Sequence, residues 1–166
     1  MFTRVALILL AFSLSAFGQS VDWDQAEKTP DWTSLPDALQ EAATSDDKIM
    51  VFIYTEWCGY CRRMIHNTFQ DDDVLDYLEE KFQSVRVNAE STEEVSLDGQ
   101  VVTESQLAQA LGAQGFPTVV FMEPTGKYIT HLPGFLEPND YLCVLSFIGS
   151  GNYESQSYGE HLETCG

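Results

Sequence analysis

Cys58 and Cys61 stand with two residues between them in the run Trp57-Cys-Gly-Tyr-Cys61. At that spacing the second sulfur can reach back over one helical turn and close a disulfide with the first. A cysteine at the start of a helix also meets unpaired N–H groups and the positive end of the helix dipole, which favour its thiolate. Cys58 is therefore the candidate nucleophile for attack on a disulfide, and Cys61 the candidate thiol that resolves the mixed disulfide. Arg62 and Arg63 follow directly and add positive charge, partly offsetting Glu56 and an acidic chain. A zinc site would need a second ligand pair at similar spacing. Cys143 and Cys165 are too far apart to supply one, so no metal is expected. A purely structural disulfide is the other alternative, and it would stabilise little across so small a ring.

Chemistry of this kind needs a strand to deliver the pair and a helix to begin at it. Ile49-Met-Val-Phe-Ile-Tyr54 is a continuous apolar run with turn-like sequence on either side, and reads as a buried central strand. Helical spacing resumes after Gly59 and continues to about Phe82 with a break around Gln70–Asp73; Val74, Leu75, Leu78 and Phe82 mark its buried stripe. Upstream, Ser34 can cap a short helix with Pro36 in its first turn, running through Ala43. Downstream, Ser84–Asn88 alternates as a strand, and Glu94–Val102 holds an Asp98-Gly99 hairpin signal. Thr103-Glu-Ser-Gln106 is a capping-box pattern for a helix that Gly112 ends. Strands at Thr118–Met122 and Tyr128–Leu132 flank a Glu123-Pro-Thr-Gly126 turn. A last helix starts near Pro138, with Tyr141, Leu142, Leu145 and Ile148 inward, and the polar tail beyond it adds a final helical turn or two. The order describes a three-layer α/β domain with a mixed sheet.

The chain has 166 residues, with 8 Lys and Arg against 26 Asp and Glu, a formal net charge of -18. The length suits one domain. The charge excludes nucleic acid as a partner, because phosphate binding needs clustered Lys and Arg, and it favours neutral or basic partner surfaces. Arg4, the apolar run Val5–Phe12 and Ala16-Phe-Gly18 read as a secretory signal over residues 1–18. That apolar run is too short to span a bilayer. Export would place the protein in a periplasm or outside the cell, where disulfides persist. Residues 19–33 then form an acidic lead-in pinned by Trp23 and Trp32, residues 34–148 the domain, and residues 149–166 a C-terminal extension.

Glu56-Trp-Cys-Gly59 and, far downstream, Gly115-Phe-Pro-Thr118 resemble the active-site entry and the cis-proline loop of the thioredoxin superfamily. Pro124-Thr-Gly-Lys127 and Leu132-Pro-Gly134 are similar to that superfamily's last hairpin and the glycine after it. The likeness covers about residues 34–148. Within the superfamily the chain most resembles exported thioredoxin-related proteins of the SoxW type, through the Leu97-Asp-Gly insertion and Gly151-Asn-Tyr153. The resemblance implies a thioredoxin fold, a mixed central sheet flanked by helices, with a hairpin insertion before the third helix. It implies that Pro117 is cis and abuts the Cys58–Cys61 redox-active disulfide. Phe116 and Thr118 would then offer backbone groups to an extended substrate segment, with Trp57 and Tyr60 as flanking docking surface.

Two positions depart from the family pattern. Where thioredoxins bury an aspartate six residues before the first cysteine, this chain has Phe52; Glu56 is a candidate substitute for proton handling, or else a surface carboxylate. The dipeptide between the cysteines is Gly59-Tyr60 rather than Gly-Pro, a pair also found in periplasmic disulfide isomerases.

The remaining candidates carry blander readings. His66 lies down the helix from Cys61 and is structural or solvent-facing; Asp71-Asp-Asp73 caps the second half of its helix; Cys143 is either a buried thiol or the partner of Cys165. The expectation is an exported, monomeric thiol–disulfide oxidoreductase, without cofactor, that reduces protein disulfides and is recharged by a membrane-bound electron donor. An oxidase or isomerase using the same residues, or a client-binding module without catalysis, are the alternatives.

Overall fold

The computed structural model describes residues 26–97 and 99–165. The proposed signal segment and Trp23 lie outside them. The central sheet has strand order β1-β3-β2-β6-β7, built from β1 (Trp32–Thr33), β2 (Lys48–Tyr54), β3 (Phe82–Asn88), β6 (Thr118–Met122) and β7 (Tyr128–Pro133). β1 and β2 run parallel to β3, whereas β6 is antiparallel to β2 and to β7. A separate two-stranded ribbon, β4 (Glu94–Leu97) with β5 (Gln100–Thr103), is the inserted hairpin.

β2 carries no polar residue between Ile49 and Tyr54 because both of its faces are covered. Met50, Phe52 and Tyr54 pack into one cluster with α2 (Gly59–His66), α3 (Asp72–Lys81) and α5 (Pro138–Gly149). Ile49, Val51 and Ile53 pack into the other, with α1 (Leu35–Ser45) and α4 (Glu104–Ala110). Every buried position of β2 thus continues the period-two alternation, only with apolar groups on both sides.

The expected caps form. Ser34 accepts from Asp37 N, and Thr103 and Gln106 close a reciprocal capping box on α4. Asp71 caps α3 by accepting from Val74 N, so the acidic run serves the helix terminus as expected.

Three boundaries differ from expectation. The long helix after Gly59 divides at Asn67, followed by a 3₁₀ turn at Thr68–Gln70, so the hairpin precedes the fourth α-helix rather than the third. The break begins before the acidic run because Thr68 and Phe69 are drawn inward: Thr68 Oγ1 donates to Leu136 O at 2.6 Å, and Phe69 meets Phe52 edge-on. Phe82 is the first residue of β3, not the end of the helix, because parallel pairing with Lys48 claims it. Finally, the lead-in segment supplies β1, whose Trp32 packs against Phe52 and Phe69 with ring centroids 6.0 and 5.6 Å apart.

The extension beyond α5 is ordered. It holds a 3₁₀ turn at Asn152–Glu154 and α6 (Tyr158–Leu162), and a disulfide joins Cys143 to Cys165. No helix among the described residues is long and apolar enough to cross a membrane.

Candidate functional site

β2 ends at Tyr54, and the chain turns at once: Cys58 N donates to Thr55 O at 3.2 Å. This turn sets Cys58 as the N-cap of α2 in an extended conformation, with its sulfur accepting from Cys61 N at 3.0 Å. Cys58 and Cys61 form a disulfide, and both are buried, at 3% and 0% exposure. The sulfur therefore occupies the place of a capping oxygen. A thiolate released there would accept a charge-assisted bond from the same N–H and face the positive end of the helix.

Sheet register brings the second motif alongside. Thr118 pairs with Ile53 across β6 and β2, so the residues before Thr118 lie beside the turn that begins after Tyr54. The Phe116–Pro117 peptide is cis, Pro117 is buried, and its carbonyl accepts from Gly134 N at 2.8 Å. Phe116 is half-buried and meets the Trp57 ring edge-on, with centroids 6.1 Å apart. Thr118 is placed differently from expectation. Its backbone is flanked by Ile53 on one side and Pro133 on the other, and its hydroxyl donates to Gly115 O at 2.8 Å. An internal sheet residue has its edges occupied, whereas Phe116 lies ahead of the strand.

Trp57 and Tyr60 are the exposed aromatics of the site, at 64% and 63%. Trp57 is thus a surface residue and not a core tryptophan. Its indole donates to Glu90 Oε1 at 2.9 Å. Tyr60 stacks on Phe135 at 6.4 Å, and the Arg63 guanidinium lies 4.3 Å above the same Phe135 ring. Arg63 also pairs with Glu137, which accepts from Asn67 Nδ2 at 2.6 Å. The positive charge expected of Arg63 is therefore spent on holding the loop after β7 against α2. Arg62 stays closer to the motif: its Nη1 donates to Glu56 O at 3.3 Å, and its Nη2 lies 3.8 Å from where a Gly59 Cβ would stand.

Glu56 is half-buried and accepts from Asn88 Nδ2 at 3.2 Å. Phe52 fills its position beneath the cysteines with ring surface, stacked on Tyr54 at 6.0 Å and edge-on to Phe69 at 5.2 Å. Two buried hydroxyls in this half of the molecule, Thr55 Oγ1 and Tyr141 Oη, have no hydrogen-bond partner among the described residues, and burial pushes the Tyr141 phenol far above its ordinary range. His66 is exposed at the end of α2, away from the helix start.

Phe135, Glu90 and Glu137 are the site's neighbours that the sequence does not announce. Each reaches the motif through tertiary contact. The nearest signal is the Leu132-Pro-Gly134 turn, which places an aromatic residue directly after a glycine at φ 87°.

The model of the thioredoxin-like domain matches residues 35–149. A thiol:disulfide interchange protein DsbD from Actinobacillus pleuropneumoniae is 29% identical over 112 residues, 65% of this chain and 18% of that protein. A protein disulfide-isomerase from Hordeum vulgare is 23% identical over 122 residues, 73% of this chain and 21% of that protein. The chain thus spans about a fifth of the length of these curated relatives. Among solved structures, a thioredoxin-fold protein from Helicobacter pylori superposes with a TM-score of 0.59 at 26% identity, covering 72% of this chain and 80% of that one.

Proposed function

The chain belongs to the thioredoxin-like domain family, and from that premise we propose that it is an exported thiol–disulfide oxidoreductase that reduces protein disulfides in a periplasm. The observation that carries the reading is Cys58 as a sulfur N-cap on α2, disulfide-bonded to Cys61 and flanked by the exposed rings of Trp57 and Tyr60. In the reduced protein, Cys58 attacks one sulfur of a substrate disulfide and the other leaves as a thiolate. Cys61 then attacks Cys58, the second substrate sulfur leaves, and the Cys58–Cys61 disulfide is restored with two electrons passed to the substrate. Phe116 and Pro117 border the groove for an extended segment, Trp57 and Tyr60 provide its apolar walls, and Thr118 fixes the loop from below. A dithiol donor at the membrane would return the electrons, in keeping with the DsbD name of the relatives. The domain limits 34–148, the leader 1–18 and the SoxW-type kinship belong to the same proposal; the kinship rests on the β4–β5 hairpin and on the Gly151 turn at φ 78°.

An isomerase is the second reading, favoured by the disulfide-isomerase relative and by the Gly59-Tyr60 dipeptide. Reduction of an insulin-type disulfide by the reduced protein tests both. Cys58→Ala should abolish it, and Cys61→Ala should accumulate the mixed disulfide. Activity that survives Cys58→Ala would overturn Cys58 as the nucleophile. Equilibration against a glutathione series then separates the two enzymes, a thioredoxin-like potential supporting the reductase and a more oxidising one the isomerase.

A further inference from the structure

The second disulfide has chemistry around it that a simple staple does not need. Cys143 lies in α5 and Cys165 in the extension beyond α6, both half-buried. Ser146 Oγ stands 3.7 Å from Cys165 Sγ and 2.9 Å from Nε2 of His161, which is 6% exposed. The other imidazole nitrogen, Nδ1, faces the amide nitrogens of Asn152 and Gln156, each at 3.4 Å. Amide nitrogens only donate, so Nδ1 accepts and Nε2 carries the proton. Donors then run in one direction, from His161 Nε2–H to Ser146 Oγ and from the Ser146 hydroxyl outward. With the disulfide closed that hydroxyl donates to Cys143 O at 3.0 Å. Cys143 Sγ, for its part, sits 3.0 Å from Cys165 O, an acceptor that only a reduced Cys143 could use.

We propose that Cys143–Cys165 is a second thiol–disulfide exchange site, opened by a thiol with Cys165 as the leaving sulfur and Ser146 as the group that holds the departing thiolate. An entering thiolate bonds to Cys143 Sγ and the Cys143–Cys165 bond breaks, its electron pair leaving on Cys165. The Ser146 hydroxyl turns to donate to that thiolate, with His161 donating behind it, until a solvent proton neutralises the sulfur. A second thiol attacks the entering sulfur, releases Cys143 with its proton to bond Cys165 O, and departs with the first thiol as their disulfide. Two electrons thus enter the protein. A leaving sulfur whose thiolate is stabilised leaves faster, which is the kinetic purpose of the relay. The extension stays docked while the bond is open, because Phe147 packs on Tyr153, Tyr158 and His161 with centroids 5.3 to 6.4 Å apart, so the bond can reclose.

The test uses the full chain carrying Cys58→Ser and Cys61→Ser, which leaves this pair alone and makes the outcome independent of the oxidoreductase reading. Native protein is equilibrated in reduced and oxidised glutathione, thiols are alkylated, and intact mass is read. Alkylation of Cys143 and Cys165 in the reducing half of the series, reversed by oxidised glutathione, is the expected result. Ser146→Ala should slow opening about tenfold, and Ser146→Thr, which keeps the hydroxyl, should open within about twofold of the parent rate. A pair that stays closed until the protein is denatured overturns the proposal. So does opening at the parent rate in Ser146→Ala.

Discussion

Trp57 and Glu90, 33 positions apart, are joined by a 2.9 Å hydrogen bond from the indole nitrogen to Oε1, although 64% of the tryptophan is exposed. A side chain that open has no packing to fix its rotamer on the solvent side, so the bond and the edge-on contact with Phe116 set its orientation. Trp57→Ala should lower kcat/KM for protein disulfides about tenfold and change unfolding free energy by no more than about 0.5 kcal/mol, as expected of an exposed residue. Glu90→Gln keeps a weaker acceptor, and should raise KM a few-fold without changing kcat. Steady-state kinetics beside urea unfolding separate the two effects; a large loss of stability in Trp57→Ala would contradict a docking role.

Thr55 is 1% exposed and its hydroxyl has no partner among the described residues. An unpaired buried hydroxyl costs about 1–3 kcal/mol, and valine has nearly the same shape. Thr55→Val should therefore stabilise the oxidised protein by about 1 kcal/mol. Chemical denaturation of the disulfide form is the measurement, and a destabilised variant would mean that the hydroxyl is satisfied.

The extension is tied to the sheet through Glu123, which accepts from Tyr153 and pairs with Lys48 Nζ at 3.0 Å. Burial alone would push the Glu123 carboxyl up, but the bonds from Tyr153 and Lys48 outweigh it and hold the carboxyl below its ordinary range. Its stabilising effect is therefore complete above about pH 4.3, the unfolded value, and fades as pH falls through the lower folded value. Burial and then the bond to Glu123 push the Tyr153 phenol up. Its contribution is therefore complete below about pH 10, the unfolded value, and fades as pH rises through the higher folded value. Glu123→Gln should flatten the stability profile at both ends, and thermal unfolding across pH reads this directly.

Gly126 turns β6 into β7 at φ 80°, and a Cβ there would come within 2.8 Å of Leu39 Cδ2 on α1. Left-handed backbone costs a residue with a Cβ about 1–2 kcal/mol before any clash. Gly126→Ala should lose at least about 1 kcal/mol of unfolding free energy with oxidoreductase kinetics unchanged, since the turn is remote from the cysteines.

Much of this site is written in short-range patterns. Cys58 and Cys61 are legible from their spacing and from the apolar run before them. Ser34 and Thr103 are legible because a cap is a local bond, closed within three residues. Pro117 is legible only by likeness to a family, since no periodicity marks it. What stays hidden depends on partners distant in sequence. Trp32–Thr33 has no strand pattern of its own, and becomes a strand because Ser84 and Val85 pair with it. Phe135 looks like any loop aromatic until Tyr60 and Arg63 close on it. The place where the helix divides, at Asn67, follows from Thr68 and Phe69 being pulled inward, which an acidic run three residues later disguises.

β1 is two residues long, yet it lies along the outer edge of the seven-residue β3, at Ser84 and Val85. An uncovered edge of that length, with Val85 and Val87 along it, is a template for pairing with another chain. Trp32 acts as the rivet of this cover, its ring packed against both Phe52 and Phe69. Cutting the chain ahead of Ser34 would bare that edge and remove the ring that covers Phe52 and Phe69 together, and the truncated protein should associate edge to edge more readily than the full chain.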